Sequence, residues 1–123
     1  MNACKVISKK LSCPFRVTSN EDAKIQITSR DGRKVGKTRI IINGDETNAD
    51  VVTLGSAATH NRGNSWSKLW LSLPLVSGIT INGRIDFNLA HQPTRKADLI
   101  EICGLYNNKT FRMRFRGVPL TKK

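Results

Sequence analysis

Ala23-Lys24-Ile25-Gln26-Ile27-Thr28 alternates apolar and polar residues, and it is followed by Asp31-Gly32, by Val35 through Ile42, and by Asn43-Gly44. Period-two alternation is what a half-buried strand presents. Asp-Gly and Asn-Gly tolerate the positive φ that tight type I′ turns demand. Together with Val51-Val52-Thr53-Leu54 just beyond, the stretch predicts an antiparallel meander.

The same pattern continues toward the C-terminus. Residues 55–65 are small and polar, with two glycines, and predict a loop. Trp66 through Leu73 predicts a strand with Leu69, Leu71 and Leu73 on one face and Trp66, Lys68 and Trp70 on the other. Pro74 ends that strand or marks it as an edge. Ile79-Thr80-Ile81, Asn82-Gly83 and Arg84 through Leu89 predict a hairpin. Leu99, Ile102, Cys103 and Tyr106 recur at helical spacing after Pro93-Thr94, so one short helix is expected near 95–106. Asn107-Asn108 then turns the chain into a last strand, Thr110 through Val118. The expected fold is mainly β: an antiparallel sandwich or partly closed barrel of about seven or eight strands with one short helix. The 123 residues are read as a single domain, 1–123, within the usual size of about 100 to 150.

Charge is the strongest functional signal. Twenty-one lysines and arginines face nine acids, a formal net charge of +12. Residues 1–40 carry a net +7, residues 41–93 a net −1 and residues 94–123 a net +6. If the two ends lie together, both blocks form one positive face that attracts polyanions.

The sharpest motif is in the last strand, where Arg112, Arg114 and Arg116 alternate with Phe111, Met113 and Phe115. Alternate strand residues share a face and stand about 6.8 Å apart. Three guanidiniums can then track successive phosphates, which arginine's planar fork bonds bidentately. Lys109, Lys122 and Lys123 extend the row; the bland counter-reading is a charged edge that blocks aggregation. Residues 32–38 resemble a phosphate-binding loop but lack its first glycine, because position 31 is Asp31. A strand rather than a helix is expected to follow, so no nucleotide site is read there. Arg30, Arg33, Lys34, Lys37 and Arg39 remain phosphate contacts. Trp66, Lys68 and Trp70 form a second candidate face, two indoles stacking bases around an ammonium, against the plain alternative of core tryptophans.

Three cysteines, Cys4, Cys13 and Cys103, cannot all pair within one chain and match no zinc-ligand spacing. Reduced thiols in a cytosolic setting are expected. The sequon Asn108-Lys109-Thr110 is then expected to stay unglycosylated. No apolar run is long enough for a membrane span, and the first ten residues carry no secretory signal. Catalytic signals are thin. His60 and His91 match no ligand pattern, and His91 five residues after Asp86 is a weak nuclease-like pair.

These features favour a non-enzymatic nucleic-acid-binding protein, for RNA or single-stranded DNA, working through its basic face without cofactor or metal. The alternative is a small viral coat protein that packages a genome and self-assembles. Hairpins followed by a helix near 95–106 resemble the layout of coat subunits of small RNA phages, from which the Arg-rich last strand departs. A ribosomal-type protein fits the charge, although its basic residues are usually in unstructured tails. Expected partners are nucleic acid and a possible homo-oligomer, with no membrane; the expected location is cytoplasmic, or virion for a coat subunit, and not secreted.

Overall fold

The computed structural model describes residues 1–29, 36–59, 69–93 and 95–122, the last without its side chain. Eleven strands occur among the described residues: β1 (Cys4–Ile7), β2 (Lys10–Thr18), β3 (Ala23–Thr28), β4 (Arg39–Ile42), β5 (Asp45–Asn48), β6 (Val51–Leu54), β7 (Ala57–Ala58), β8 (Trp70–Leu75), β9 (Thr80–Asn88), β10 (Lys96–Tyr106) and β11 (Lys109–Lys122). Nine of them hydrogen-bond in the order β5-β4-β10-β11-β1-β2-β9-β6-β7 and curl into a half-barrel. The other two branch from it: β3 pairs with β10, and β8 with β3. No helix among the described residues is long and apolar enough to cross a membrane.

The mainly β expectation holds, while its finer parts change. The helix near 95–106 is instead the eleven-residue strand β10, and the strand count exceeds seven or eight. Helical spacing misled because β10 is covered on both faces. Ile100, Glu101, Ile102 and Cys103 are all at most 2% exposed, so no solvent-facing positions alternate with the buried ones. Such a run cannot be told from a buried helix by period alone. Thr94, the expected cap, lies outside the described residues, as do the Asp31-Gly32 turn and most of the 55–65 loop.

The expected hairpin at Asn82-Gly83 is absent: β9 runs straight through it, paired with β2 from Lys10↔Asn88 to Thr18↔Thr80. Gly83 lies opposite Phe15, and a Cβ there would fall 2.5 Å from the Phe15 ring. Its glycine makes room for a cross-strand aromatic, and turn chemistry has no part in it. Of the turns the sequence predicts, Asn43-Gly44 (φ 51° and 84°) and Asn107-Asn108 (φ 48° and 66°) are tight turns. Both have the double positive φ of type I′. Of the strand expected from Val35 through Ile42, Val35 lies outside the described residues, and the strand itself is Arg39–Ile42. In β8, Pro74 lies inside the strand, which pairs with β3 alone among the described residues and so needs no N–H on its other side.

Strand β11 joins the two halves of the sheet. It pairs with β10 from Lys109 to Pro119, then runs parallel to β1 through Cys4↔Leu120, Lys5↔Thr121 and Val6↔Lys122. The basic N-terminal and C-terminal blocks are thereby neighbours. Phe111, Met113 and Phe115 pack against the core, and beyond them Val118 and Leu120 are buried. The inward parity thus shifts from odd to even at Gly117, whose φ of 61° permits the twist.

The expectation of three reduced thiols is overturned. Cys4 and Cys13 stand opposite one another on antiparallel β1 and β2, with Cα atoms 4.2 Å apart, and form a disulfide. Their spacing of nine residues carries no motif; only the strand register brings them together. The pairing removes the ground for reading a reducing compartment from the cysteines. Closing so short a loop contributes roughly 2 to 3 kcal/mol. Cys103 alone is free, and it is buried. A thiol reagent is expected to find no reactive thiol in the folded protein, one in denaturant, and three after denaturation and reduction. Three in denaturant alone would contradict the disulfide.

Candidate nucleic-acid interface

The arginine row is formed as its alternation predicts. Arg112, Arg114 and Arg116 are exposed on the face of β11 turned away from the core. The β10 register sets them opposite Cys103, Glu101 and Leu99 respectively. Each rung extends across β10 to a further strand. Arg112 continues through Cys103 and Thr28 to Trp70, Arg114 through Glu101 to Arg39, and Arg116 through Leu99 to Ile41. Past Gly117 the same side carries exposed Lys96 opposite Pro119 and exposed Lys5 opposite Thr121. Lys109 is exposed at the hairpin end.

The edge of β10 changes partner between Cys103, paired with β3, and Glu101, paired with β4. Thr38 bridges this fork. Its hydroxyl donates to the Thr28 carbonyl (2.6 Å) and accepts from the Cys103 N–H (3.2 Å). Residues 36–38 therefore cross the outer face, and a Cβ on Gly36 would lie 3.2 Å from Cys103 Sγ and 3.3 Å from Arg112 Nη2. This strap places Lys37, which is exposed, and Arg39 beside the β11 row.

Two carboxylates lie among these cations. Glu101 has a side chain 3% exposed; its Oε2 is 2.7 Å from Arg114 Nε and its Oε1 3.3 Å from Arg39 Nε. Glu46 Oε2 is 2.8 Å from Arg39 Nη1. Burial alone pushes the Glu101 carboxyl upward. The hydrogen bond from Arg114, the charge of Arg39 and the Cys103 thiol together outweigh it and hold the carboxyl below its ordinary value of 4.5. Burial first, then the Glu101 charge, pushes the Cys103 thiol up to about 11, so it stays protonated and inert. No ion pair to Arg112, Arg116 or Lys37 occurs among the described residues.

A depressed carboxylate contributes stability above its unfolded value and loses it as pH falls through the folded one. Stability is therefore expected to decline below about pH 4.5 as Glu101 protonates. In Glu101→Gln that component of the decline is absent, measurable as urea midpoints between pH 6 and pH 3. An identical decline in the variant would assign it to other carboxylates.

The remaining candidates separate. Trp70 is 8% exposed, paired with Thr28 at the start of β8, and presents no stacking surface. Arg30, Arg33, Lys34, Trp66 and Lys68 lie outside the described residues, as do His60 and Lys123. His91 lines a cleft of about 460 Å³ with Asn43, Asp45 and Glu46, while Asp86 is paired with Arg84 (3.2 Å). No group of three or more His, Cys, Asp or Glu side chains among the described residues is placed to hold a metal ion. The sequence passed over Glu101 because it fell inside the expected helix. Its signal is a lone acid between Ile100 and Ile102, a charge in an apolar run that must be paired if buried. No protein-family model matches the chain, and neither a curated protein nor a solved structure matches it.

Proposed function

We propose that this protein binds single-stranded nucleic acid, RNA or DNA, without catalysing a reaction on it. The phosphate backbone lies along β11, neutralised by Arg112, Arg114 and Arg116 and flanked by Lys37, Arg39 and Lys109. One observation carries this reading: three exposed arginines share a face of one strand, and two of them have no carboxylate partner among the described residues. An edge charged only against aggregation is the competing reading, because residues 109–119 of β11 pair with β10 alone among the described residues and β1 joins only at residues 120–122; it predicts no salt-dependent binding. Six cations against two carboxylates leave a local surplus of positive charge, and binding proceeds by release of condensed counterions.

The test is affinity for labelled single-stranded RNA and DNA oligonucleotides across a salt series. The expected plot of log affinity against log salt is steep, about 0.7 per phosphate neutralised. A flat plot would assign the charge to solubility or to a protein partner.

The self-assembling coat subunit draws on a different observation: β5 and β8 each pair with one strand among the described residues, leaving edges a second copy can extend. Light scattering separates the two, since a coat subunit forms large particles and a binding module stays a monomer or dimer.

A further inference from the structure

We infer that Glu101 is a positioning residue of the nucleic-acid interface: its buried carboxylate holds Arg114 and Arg39, on strands either side of β10, as one preformed two-guanidinium cradle for backbone phosphate. The inference rests on the proposed function and concerns the same face.

The geometry is unusual for an acid amid a phosphate-binding surface. A carboxylate there lowers the positive charge and competes with the ligand, so a surface built for attraction alone would omit it. Glu101 is instead sunk below the surface, 3% exposed, with one oxygen toward each arginine. Both contacts are made through Nε, the inner nitrogen of the fork. Arg114 keeps its two terminal nitrogens without a partner among the described residues, on a side chain 49% exposed. Arg39 is pinned a second time, through Nη1, by Glu46. An arginine tethered at Nε has its guanidinium plane set before the ligand arrives, so less rotamer freedom is lost on binding. Arg112 and Arg116 have no such tether and act as mobile point contacts.

Plain electrostatics and positioning predict opposite signs for one substitution. Glu101→Gln removes a negative charge, so a competing carboxylate would give tighter binding and an unchanged or steeper salt slope. Positioning gives the reverse. The slope falls by about 0.7 for each arginine that no longer engages, and affinity at 0.1 M salt falls by about fivefold per contact relative to its value at 1 M. The experiment uses the full chain with a 20-nucleotide oligouridylate and a 20-nucleotide oligothymidylate, each variant first checked for folding by circular dichroism at the assay temperature. Arg114→Lys keeps the charge but loses Nε, and it is expected to reproduce the Glu101→Gln loss. The double variant is expected to be no weaker than either single one, and Arg112→Lys to bind nearly as wild type.

Weaker binding with a reduced slope in a folded Glu101→Gln supports the inference. Equal or tighter binding overturns it while leaving the proposed function standing. If Glu101→Gln does not fold, Arg114→Lys decides: wild-type affinity overturns positioning, and a loss with reduced slope supports it. Failure of the wild-type protein to bind either oligonucleotide overturns the proposed function and this inference with it.

Discussion

Replacing Arg112, Arg114 and Arg116 together with alanine is expected to flatten the salt dependence of single-strand binding by about 2 logarithmic units of slope, at roughly 0.7 per phosphate contact. Between 50 and 200 mM salt the variant would then lose roughly twentyfold less affinity than the wild type does. The triple substitution also strips Glu101 of its 2.7 Å partner, leaving a buried carboxylate held by Arg39 alone. A buried charge that loses a partner destabilises. The pair Arg112→Ala and Arg116→Ala avoids this, since neither is ion-paired among the described residues. It is expected to account for about two thirds of the change in slope with an unaltered urea midpoint. Retention of the full slope by the pair would move the interface off β11.

The largest expected loss of stability comes from Gly104→Ala. A Cβ at Gly104 would lie 2.0 Å from the Gln26 carbonyl oxygen and 2.9 Å from the Phe111 ring. The ring can rotate, but the carbonyl belongs to β3, which is held to β10 through Cys103↔Thr28, Gly104↔Ile27 and Leu105↔Gln26. Relief therefore requires β3 to part from β10, and β8, which pairs with β3 alone among the described residues, moves with it. Overpacking of this kind costs about 3 kcal/mol or more. For a chain of this length the melting temperature is expected to fall by roughly 10 °C or more. A shift within 2 °C would show that the β3–β10 junction is not close-packed at this position. The substitution leaves the β11 arginines in place. Nucleic-acid affinity of the folded fraction is thus expected to survive at low temperature.

Much of the fold is legible in short-range pattern. The alternation of Ala23 through Thr28 and of Phe111 through Arg116 gave strands with the correct faces, because in each the apolar residues pack on the core and the polar ones take the other side. Asn43-Gly44 and Asn107-Asn108 gave turns, because positive φ is a local demand met by local residues. Where the pattern failed, a distant neighbour had changed what a residue was for. Gly83 reads as a turn, yet it accommodates the ring of Phe15, 68 positions earlier. Residues 99–106 read as a helix because the strap at 36–38 and the ends of Arg39 and Arg114 cover a face that alternation would leave polar.

The sequence by itself determined that this is a β protein of high positive charge with three arginines aligned on one strand face. Those properties depend on residue type and on spacings of two or four positions, which a strand converts directly into geometry. Only the tertiary structure decided which strands adjoin. It set β1 beside β11, so that the two basic ends meet, and brought Cys4 opposite Cys13. It also placed Arg39 and Arg114, 75 positions apart, on either side of Glu101. Those pairings follow from register and burial among distant strands, a balance of many packing contacts that no single stretch of the chain encodes.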